Sequence, residues 1–438
     1  MQVKAVKFGG SSLASAEQFR KVYDIVKSDP SRRYVVASAP GKRFDSDNKV
    51  TDMLYACYDM ALAGLEFDIF FDGIKARFDA IVSELGLSLD LSEEYDSIKE
   101  SFRRGAGRDF AASRGEYLNS KILSAYLGYD MIDASEVVFF REDGSLDESR
   151  TYKTLASAMR VHEHAVIPGF YGSMPNFTIR TFSRGGSDVT GSIVARAAGA
   201  DVYENWTDVS GFLMADPRIV ESPLRIKTVT YRELRELSYM GAGVLHEDSV
   251  FPVRQMGIPI NIRNTNAPED EGTMIVSGTD VYDRNHIITG IAGKKSFSVI
   301  RIDKERMAHQ RGMLHRIVEI LDYNNVHIEH LPSGIDTMSV VAHTSDVEGK
   351  HEILTDSITR AVNPDDMVIE DGLSLIAVVG RGMVGFPGIA ARIFDALAGA
   401  EINVRMIDQG ACELNVIVGV AEADFENAIR AIYAEFVK

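Results

Sequence analysis

Hydrophobic positions at the start of the chain predict a strand followed by a helix. Apolar residues alternate between Val3 and Phe8, and the segment after them has the helical i, i+3, i+4, i+7 spacing at Phe19, Val22, Tyr23 and Val26. The turn between the two elements reads Gly9-Gly10-Ser11-Ser12. We expect backbone N–H groups to converge there and to bind an anion. An ordinary strand-to-helix loop is the alternative, since short glycine motifs are weak signals.

Strands and helices alternate along the first 285 residues. Apolar runs predict strands at 34–37, 165–167 and 202–206, and helical patterns cover 51–110, a segment from about 115, and 187–198. Thr51-Asp52 has the residue types of a helix N-cap. This order predicts an α/β fold with a mainly parallel sheet, whose functional loops lie at the carboxyl ends of the strands.

The remaining residues contain an internal duplication with an offset of 76 positions. The helix positions Ile317, Val318 and Leu321 recur as Ile393, Phe394 and Leu397, and the strand 326–331 recurs as 402–407. Each copy predicts a small βαββαβ unit of the ferredoxin-like type. We therefore divide the chain into regions 1–285, 286–371 and 372–438, with strands open to exchange between the last two. Two modules that serve only dimerisation are the alternative.

Composition and charge narrow the class of protein. The 438 residues are 45% hydrophobic and 25% charged, and the net charge of −17 argues against a nucleic-acid partner. No apolar run reaches the roughly 18 residues that a membrane span needs, so no membrane partner is expected. Cys57 and Cys412 lie far apart, and the first residues carry no signal-peptide pattern, which favours the cytoplasm.

A second glycine motif brings charged side chains with it. It reads Phe182-Ser183-Arg184-Gly185-Gly186-Ser187-Asp188, and Ser187 or Asp188 is expected to cap the following helix. Arg184 is suited to a bidentate grip on a carboxylate or phosphate. Glu116 is either a first-turn partner of a helix dipole or a site for an ammonium group. Thr207-Asp208 is either a plain turn at a strand end or, in a kinase, a contact to the nucleotide or its metal ion.

These motifs, together with Trp206-Thr207-Asp208-Val209 and Asp216-Pro217-Arg218, resemble the signature set of aspartokinases. Aspartokinases belong to the amino-acid kinase superfamily, and their tandem ACT domains are similar to the duplication described above. The resemblance implies a mainly parallel sheet sandwiched by helices, followed by two ferredoxin-like ACT domains. It implies ATP-dependent phosphorylation of the β-carboxylate of L-aspartate to 4-phospho-L-aspartate, the first step toward lysine, threonine and methionine. Mg²⁺ is expected mainly on the phosphates, with no residue assigned as its ligand.

The resemblance also assigns roles to individual residues. Lys7 neutralises the phosphoryl oxygens, and Asp188 orients Lys7 and the substrate. The phosphates are bound by Lys7 together with Gly9, Gly10 and Ser11, and ATP is also bound by Thr207, Asp208 and Arg218. Aspartate is bound by Thr51, Glu116, Phe170, Arg184 and Ser187. Within the last group, Arg184 holds the α-carboxylate and Glu116 the ammonium group.

The ACT pair implies feedback control by an end-product amino acid. Lysine, alone or with threonine, is the expected effector, and threonine alone remains open. The segment that resembles the lysine-binding one contains Met307, His327, Ile328 and Glu329, with Glu329 paired to the effector's ε-ammonium. A homodimer through the ACT domains is expected, and a tetramer is the further possibility.

One motif departs from the family pattern. Many aspartokinases have a lysine where this chain has Gly243, in Gly241-Ala242-Gly243-Val244-Leu245-His246. An amino-acid sensor with weak or lost kinase activity is therefore the main alternative. Another amino-acid kinase, such as a glutamate or acetylglutamate kinase, is a further alternative that Glu116, Arg184 and the ACT pair disfavour.

Overall fold

The computed structural model describes residues 2–183, 185–242, 245, 247–278 and 287–437. The chain forms two compact units. Unit 1 contains Met1–Phe212, Arg225–Tyr231 and Val244–Thr279, and unit 2 contains Leu213–Leu224, Arg232–Gly243 and Asp280–Lys438. No helix in the described residues is both long and apolar enough to cross a membrane.

The first twenty elements run from the N-terminus to the end of unit 1, with α9 continuing into unit 2. They are β1 (Lys4–Phe8), α1 (Ala16–Lys27), β2 (Arg32–Ala37), α2 (Val50–Leu62), α3 (Asp68–Glu84), α4 (Ser92–Arg103), α5 (Arg108–Leu127), β3 (Asp130–Met131), α6 (Ala134–Val137), α7 (Glu148–Val161), β4 (Ala165–Pro168), β5 (Tyr171–Ser173), β6 (Ile179–Thr181), α8 (Gly186–Ala198), β7 (Val202–Thr207), β8 (Thr228–Thr230), α9 (Tyr231–Tyr239), α10 (Glu247–Gln255), β9 (Ile260–Asn264) and β10 (Thr273–Val276).

Unit 1 is built on an eight-stranded sheet in the order β3-β4-β2-β1-β7-β9-β10-β8. Strand β1 pairs in parallel with β2 and β7, and β2 pairs in parallel with β4. Only the pairing of β10 with β9 is antiparallel among the ladders described for this sheet. The predicted α/β fold with a mainly parallel sheet is confirmed.

Strand β1 lies in the middle of the sheet and is buried on both faces. Phe8 stacks on Trp206 of β7, while Lys7 points to the opposite face and is only 7% exposed. Helix α1 buries Phe19, Val22 and Val26, in agreement with its predicted apolar spacing. A lysine in so central a strand has little contact with water, so it needs a charged or polar partner.

Four helix boundaries differ from the sequence expectations. Helix α2 begins at Val50 with Lys49 as its N-cap, so Thr51 lies in the first turn and does not cap. Gly185, with a φ of 74°, is the N-cap of α8, so neither Ser187 nor Asp188 caps it. In both cases the helix begins before the residue whose side chain is suited to cap it.

The other two differences concern the first glycine turn and Glu116. Ser11–Leu13 forms a short 3₁₀ turn, and α1 begins only at Ala16 with Ser15 as its cap. Helix α5 begins at Arg108, so Glu116 lies in its middle and the interpretation as a first-turn dipole partner is wrong. The apolar pattern of α5 is weak because both its polar and apolar sides are buried, and this hid its first two turns.

Unit 2 carries the duplicated part of the chain. Its elements after residue 287 are β11 (Gly290–Asp303), α11 (Met313–Tyr323), β12 (Ile328–His330), β13 (Thr337–His343), α12 (Thr344–Val347), α13 (His351–Val362), β14 (Asp366–Val379), α14 (Ile389–Gly399), β15 (Val404–Asp408), β16 (Asn415–Ala421) and α15 (Phe425–Phe436). The strands among these elements form one six-stranded sheet in the order β12-β13-β11-β14-β16-β15, with antiparallel pairing throughout its described ladders.

Two long strands are shared between the two copies. Residues 297–303 of β11 pair with β13 of the first copy, while residues 290–294 pair only with the part of β14 that also pairs with β16. The second copy therefore receives its fourth strand from the chain that precedes the first copy. A line between residues 371 and 372 falls inside β14, and 285/286 lies outside the described residues, so these domain boundaries stay predictions.

Candidate active site

Lys7, Asp188 and Asn205 form a connected polar cluster in the interior of unit 1. The Lys7 Nζ lies 2.6 Å from the Asp188 Oδ1 and donates to the Asn205 Oδ1 at 3.4 Å. The Asn205 Nδ2 donates to the same Asp188 oxygen at 2.9 Å. Lys7 and Asn205 are direct neighbours in the β1–β7 ladder, and Asp188 lies in the first turn of α8. The ammonium group is thus fixed from two elements.

The glycine turn lies directly beyond this lysine. The Gly9 N–H donates to the Trp206 carbonyl, which continues the β1–β7 ladder by one bond. A side chain at Gly9 would start 3.6 Å from the Lys7 Nζ, and one at Gly10 would meet the Ala39 carbonyl at 2.9 Å. The Ser12 hydroxyl lies 2.8 Å from that of Thr265. Gly9 therefore leaves free space next to the lysine ammonium, and its N–H is already used by the sheet.

Glu116 is buried beside the loop that follows β2. Its side chain is 5% exposed, and the Ala39 N–H donates to its carboxylate. Burial raises the pKa of Glu116 to about 8, partly offset by the Ala39 bond and the Arg114 charge. Its Oε2 has no hydrogen-bond partner among the described residues. Such a carboxylate is prepared to receive a cation, because a cation would restore its charged form.

The other residues predicted for aspartate lie on neighbouring loops. A side chain at Gly169 would meet the Ser187 Oγ at 2.7 Å, and one at Gly186 would clash with the Phe170 ring. Phe170 has a φ of 80°, a strained conformation that is stabilised by a bond from its N–H to the Thr190 hydroxyl. Strain of this kind concentrates at ligand sites.

The loops that carry these groups follow four adjacent strands. In the sheet order, β4, β2, β1 and β7 are neighbours, and their carboxyl ends lead to Gly169, Ser38, Gly9 and Asp208 respectively. Thr51 lies in the first turn of α2, and the preceding Val50 would lie 3.6 Å from a Cβ at Gly115 of α5. The tertiary structure therefore collects Lys7, Glu116, Phe170, Ser187 and Asp188 at one edge of the sheet.

The residues predicted to bind the nucleotide differ in their partners and belong to both units. The Thr207 hydroxyl donates to Asp208, which is exposed at the end of β7, and the Thr207 carbonyl accepts from Thr265. Arg218 belongs to unit 2, where its guanidinium is paired with Asp216 at 2.6 Å. Arg184 and Gly243 lie outside the described residues. The roles assigned to all of these residues stay predictions.

The predicted effector residues lie in unit 2. Met307 is buried, the His327 N–H donates to Asp346, and Ile328 begins β12. The Glu329 carboxylate accepts a bond of 2.6 Å from the Tyr239 hydroxyl at the end of α9. In this arrangement Glu329 already has one donor, and an effector ammonium would have to share or replace it.

Sequence reasoning missed Asn205, Thr190 and Thr265. Asn205 was part of a predicted strand, and a polar residue two positions before Thr207 in a buried strand was the available signal. Thr190 and Thr265 carry no comparable signal, because their partners Phe170 and Ser12 are distant in the sequence.

Comparisons with known proteins agree with this geometry. Residues 2–264 match the amino acid kinase family, and residues 376–436 match an ACT domain. Aspartokinase 3 of Bacillus subtilis (strain 168) is 38% identical over 451 aligned positions, which cover 99% of this chain and 98% of that protein. The crystal structure of Clostridium acetobutylicum aspartate kinase is 49% identical, covers 100% of both chains and superposes with a TM-score of 0.93.

Two structures of Escherichia coli aspartokinase III extend the comparison at lower identity. One was solved with aspartate and ADP and the other with lysine and aspartate, with TM-scores of 0.73 and 0.75. Both are 24% identical and cover 100% of both chains, so their likeness concerns the fold. With the Bacillus and Clostridium proteins matched over nearly their whole lengths, this chain belongs to the amino acid kinase family and, within it, to the aspartokinases.

Proposed function

We propose that this protein transfers the γ-phosphoryl group of ATP to the β-carboxylate of L-aspartate and forms 4-phospho-L-aspartate and ADP. The observation that carries the proposal is the Lys7–Asp188 ion pair directly beside the glycine turn. A full positive charge that is buried and fixed beside a glycine turn is suited to phosphoryl transfer. The nearby Glu116 carboxylate supplies the partner that an amino-acid ammonium requires.

The reaction asks little of the protein in covalent chemistry. A β-carboxylate is already ionised at neutral pH, so its oxygen attacks the γ-phosphorus while the bond from that phosphorus to the β–γ bridging oxygen breaks. No proton has to be moved in this step. The protein must instead bring two anions together and stabilise the charge on the transferred group. Lys7 supplies that charge, and Asp188 and Asn205 hold it in place.

Mg²⁺ fits this site as an ion bound mainly through phosphates. Among the described residues, no group of three or more His, Cys, Asp or Glu side chains is arranged to hold a metal ion. Mg²⁺ characteristically keeps several waters and takes only one or two carboxylates in nucleotide sites. Asp208, exposed at the end of β7, is a carboxylate that would suit this role. The ion would supply neutralisation of the phosphate charges.

We further propose feedback control through unit 2 by lysine, alone or together with threonine, in a homodimer formed by the ACT domains. In this proposal Glu329, on β12, is the acidic group that pairs with the ε-ammonium of the effector. The relative from Escherichia coli was solved with lysine, which supports this choice of ligand. The two free cysteines, Cys57 and Cys412, support a cytoplasmic location.

The decisive experiment is an acyl-phosphate assay on the purified full chain. ATP, Mg²⁺ and L-aspartate are supplied, the product is trapped with hydroxylamine, and lysine and threonine are added separately and together. Hydroxamate that depends on aspartate supports the proposed reaction, and a decrease on adding lysine or threonine supports the regulation. Absence of hydroxamate, with amino-acid binding retained, would favour the sensor and would make Gly243 the residue to explain.

A further inference from the structure

Three buried acceptor atoms without partners lie within two turns of α5. They are the Glu116 Oε2, the Asn119 Oδ1 and the Ser120 Oγ, and none has a hydrogen-bond partner among the described residues. Asn119 and Ser120 are 0% exposed, and Glu116 is 5% exposed. A buried polar atom without a partner costs free energy, and native structures contain few of them. Three such atoms within two turns of one helix indicate a binding site for a hydrogen-bond donor from outside the chain.

The spacing of these residues places them on one side of the helix. Positions i, i+3 and i+4 are neighbours on a helix surface. Side chains also lean toward the helix N-terminus, so those of Asn119 and Ser120 lean toward the turn that contains Glu116. Gly115 precedes Glu116, and a side chain there would meet the Ala39 Cβ at 2.8 Å. The missing side chain lets the loop after β2 lie directly against this turn of α5.

The same loop anchors both Glu116 and Asn119. The Ala39 N–H donates to the Glu116 carboxylate, and the Asn119 Nδ2 donates to the Ser38 carbonyl at 2.7 Å. A carbonyl oxygen only accepts, so this bond fixes which end of the Asn119 amide faces Ser38 and leaves the Oδ1 on the other end free. The two side chains are therefore held by adjacent residues, each with one oxygen left over.

This position is continuous with the glycine turn at the end of β1. The Ser38 N–H donates to the Phe8 carbonyl, and the Gly41 N–H donates to the Gly10 carbonyl. The loop after β2 thus contacts the glycine turn on one side and the Glu116–Asn119 position on the other. A small ligand that reaches the glycine turn with one end can reach these acceptors with the other.

We propose that the Asn119 Oδ1 is a second acceptor for the α-ammonium group of the amino-acid substrate, beside Glu116. This inference deepens the proposed function and rests on it. An ammonium group has three N–H donors, and a single carboxylate oxygen satisfies only one of them. With Asn119 as a further acceptor, the site distinguishes an amino dicarboxylate from the same dicarboxylate without the amino group. Asn119 is thereby a specificity-determining residue.

The test compares two ligands that differ only in the ammonium group. The KM for L-aspartate and the inhibition constant of succinate against aspartate are measured for the wild type and for Asn119→Leu and Asn119→Asp. Both variants lose the bond to Ser38, but only Asn119→Asp keeps an acceptor oxygen. We expect Asn119→Leu to raise the KM for aspartate about tenfold or more with succinate inhibition unchanged, and Asn119→Asp to stay within a few-fold of wild type.

A purely structural role of Asn119, or a buried water held by it, gives a different pattern. The KM for aspartate would then rise in both variants, and the binding of succinate would weaken as much as that of aspartate. That result would overturn the inference. Ser124→Ala is the matched control, because Ser124 is also on α5, is half-buried, and its hydroxyl donates to the Tyr129 carbonyl. Its ratio of aspartate to succinate binding should stay at the wild-type value.

Glu116→Gln separates this inference from the proposed function. If Glu116→Gln weakens the binding of aspartate but not of succinate, while Asn119→Leu changes the binding of neither ligand, only the role of Asn119 is overturned. If Glu116→Gln also leaves the ratio unchanged, the ammonium group binds elsewhere and the proposed substrate orientation fails with it. Thermal unfolding of each variant checks that the fold is retained.

Discussion

The ammonium of Lys7 lies 2.6 Å from the carboxylate of Asp188, and this ion pair joins the central strand of the large sheet to the first turn of α8. The Lys7 side chain is 9% exposed and that of Asp188 is 17% exposed, so the pair is largely shielded from water. A charge that is already in position needs no reorganisation when the phosphoryl group moves. We therefore expect changes to Lys7, or to the residues that hold it, to act mainly on turnover.

Lys7→Met should reduce kcat by roughly 10²- to 10³-fold, because it removes the charge that stabilises the transferring phosphoryl group. The KM for aspartate should change much less, since other residues are assigned to that substrate. Steady-state kinetics with hydroxylamine trapping measure both constants. Lys21→Met is the control, because Lys21 is on the surface of α1 and pairs only with Glu17 among its described ion pairs. A wild-type turnover for Lys7→Met would remove Lys7 from the mechanism.

Asn205→Leu should lower kcat by roughly tenfold, which is the size expected for loss of a buried hydrogen bond that holds a charged group. The variant removes both the bond to Asp188 and the acceptor for Lys7, while the ion pair itself remains. Asn205 acts through Lys7, so KM values for both substrates should stay near wild type. Asn176→Ala, in an exposed turn, is the control. An increase in KM with normal kcat would contradict a positioning role.

The pKa of Glu116, raised to about 8 by burial, predicts a pH dependence of substrate binding. Below this pKa the free enzyme carries a neutral carboxyl group that attracts an ammonium poorly. The KM for aspartate should therefore fall as the pH rises from about 6 to 8, by up to about tenfold per pH unit. Glu116→Gln should raise the KM and abolish this dependence. A KM that rises with pH would contradict the assignment.

The same group predicts how stability depends on pH without ligand. The folded state keeps the Glu116 proton up to a pKa of about 8, whereas the unfolded chain releases it near the ordinary pKa of 4.5. The contribution of Glu116 to the free energy of unfolding is fully present below its pKa in the unfolded chain. It is lost as the pH rises toward 8, at up to about 1.4 kcal/mol per pH unit. Denaturant titrations between these pH values measure the free energy of unfolding. It should depend less on pH for Glu116→Gln than for wild type.

Arg184→Ala should mainly raise the KM for aspartate, because a guanidinium is suited to a bidentate grip on the α-carboxylate. Arg180→Ala is the control, since Arg180 is an exposed arginine nearby in the sequence, on β6. Separate titrations of aspartate and ATP give the two KM values. If only the KM for ATP increased, the assignment of Arg184 to aspartate would be reversed.

Tyr239→Phe should make the enzyme more sensitive to lysine. The Tyr239 hydroxyl donates to Glu329, and removing it leaves this carboxylate free for the effector ammonium. The lysine concentration for half inhibition should fall about 2- to 10-fold, in line with the worth of one hydrogen bond. Tyr323→Phe is the control, because Tyr323 is 84% exposed. A loss of lysine inhibition would show that the Tyr239–Glu329 bond belongs to the inhibited state instead.

The sequence determined the features that depend on local periodicity and on ordered motifs. The strand from Val3 to Phe8, the helix with Phe19 and Val22, and the duplication after residue 285 follow from apolar spacing, which reports the buried face of each element. The glycine motifs and Thr207-Asp208 also identified the strand ends where functional loops gather. The first glycine motif and Asp208 do follow neighbouring parallel strands, β1 and β7, of the large sheet. The second glycine motif follows β6, which pairs with β5 in a separate antiparallel sheet, and it reaches Lys7 through Asp188.

Only the tertiary structure decided which side chains meet. The Asn205 contact with Asp188, the free oxygen of Asn119 and the bond between Tyr239 and Glu329 join residues from different elements, and no local pattern records such pairs. The sequence also misplaced the start of α5, since polar and apolar residues are both buried in this helix and its apolar periodicity is weak. The strand that completes the second repeat comes from the chain before the first one, because strand pairing depends on spatial and not sequential neighbours.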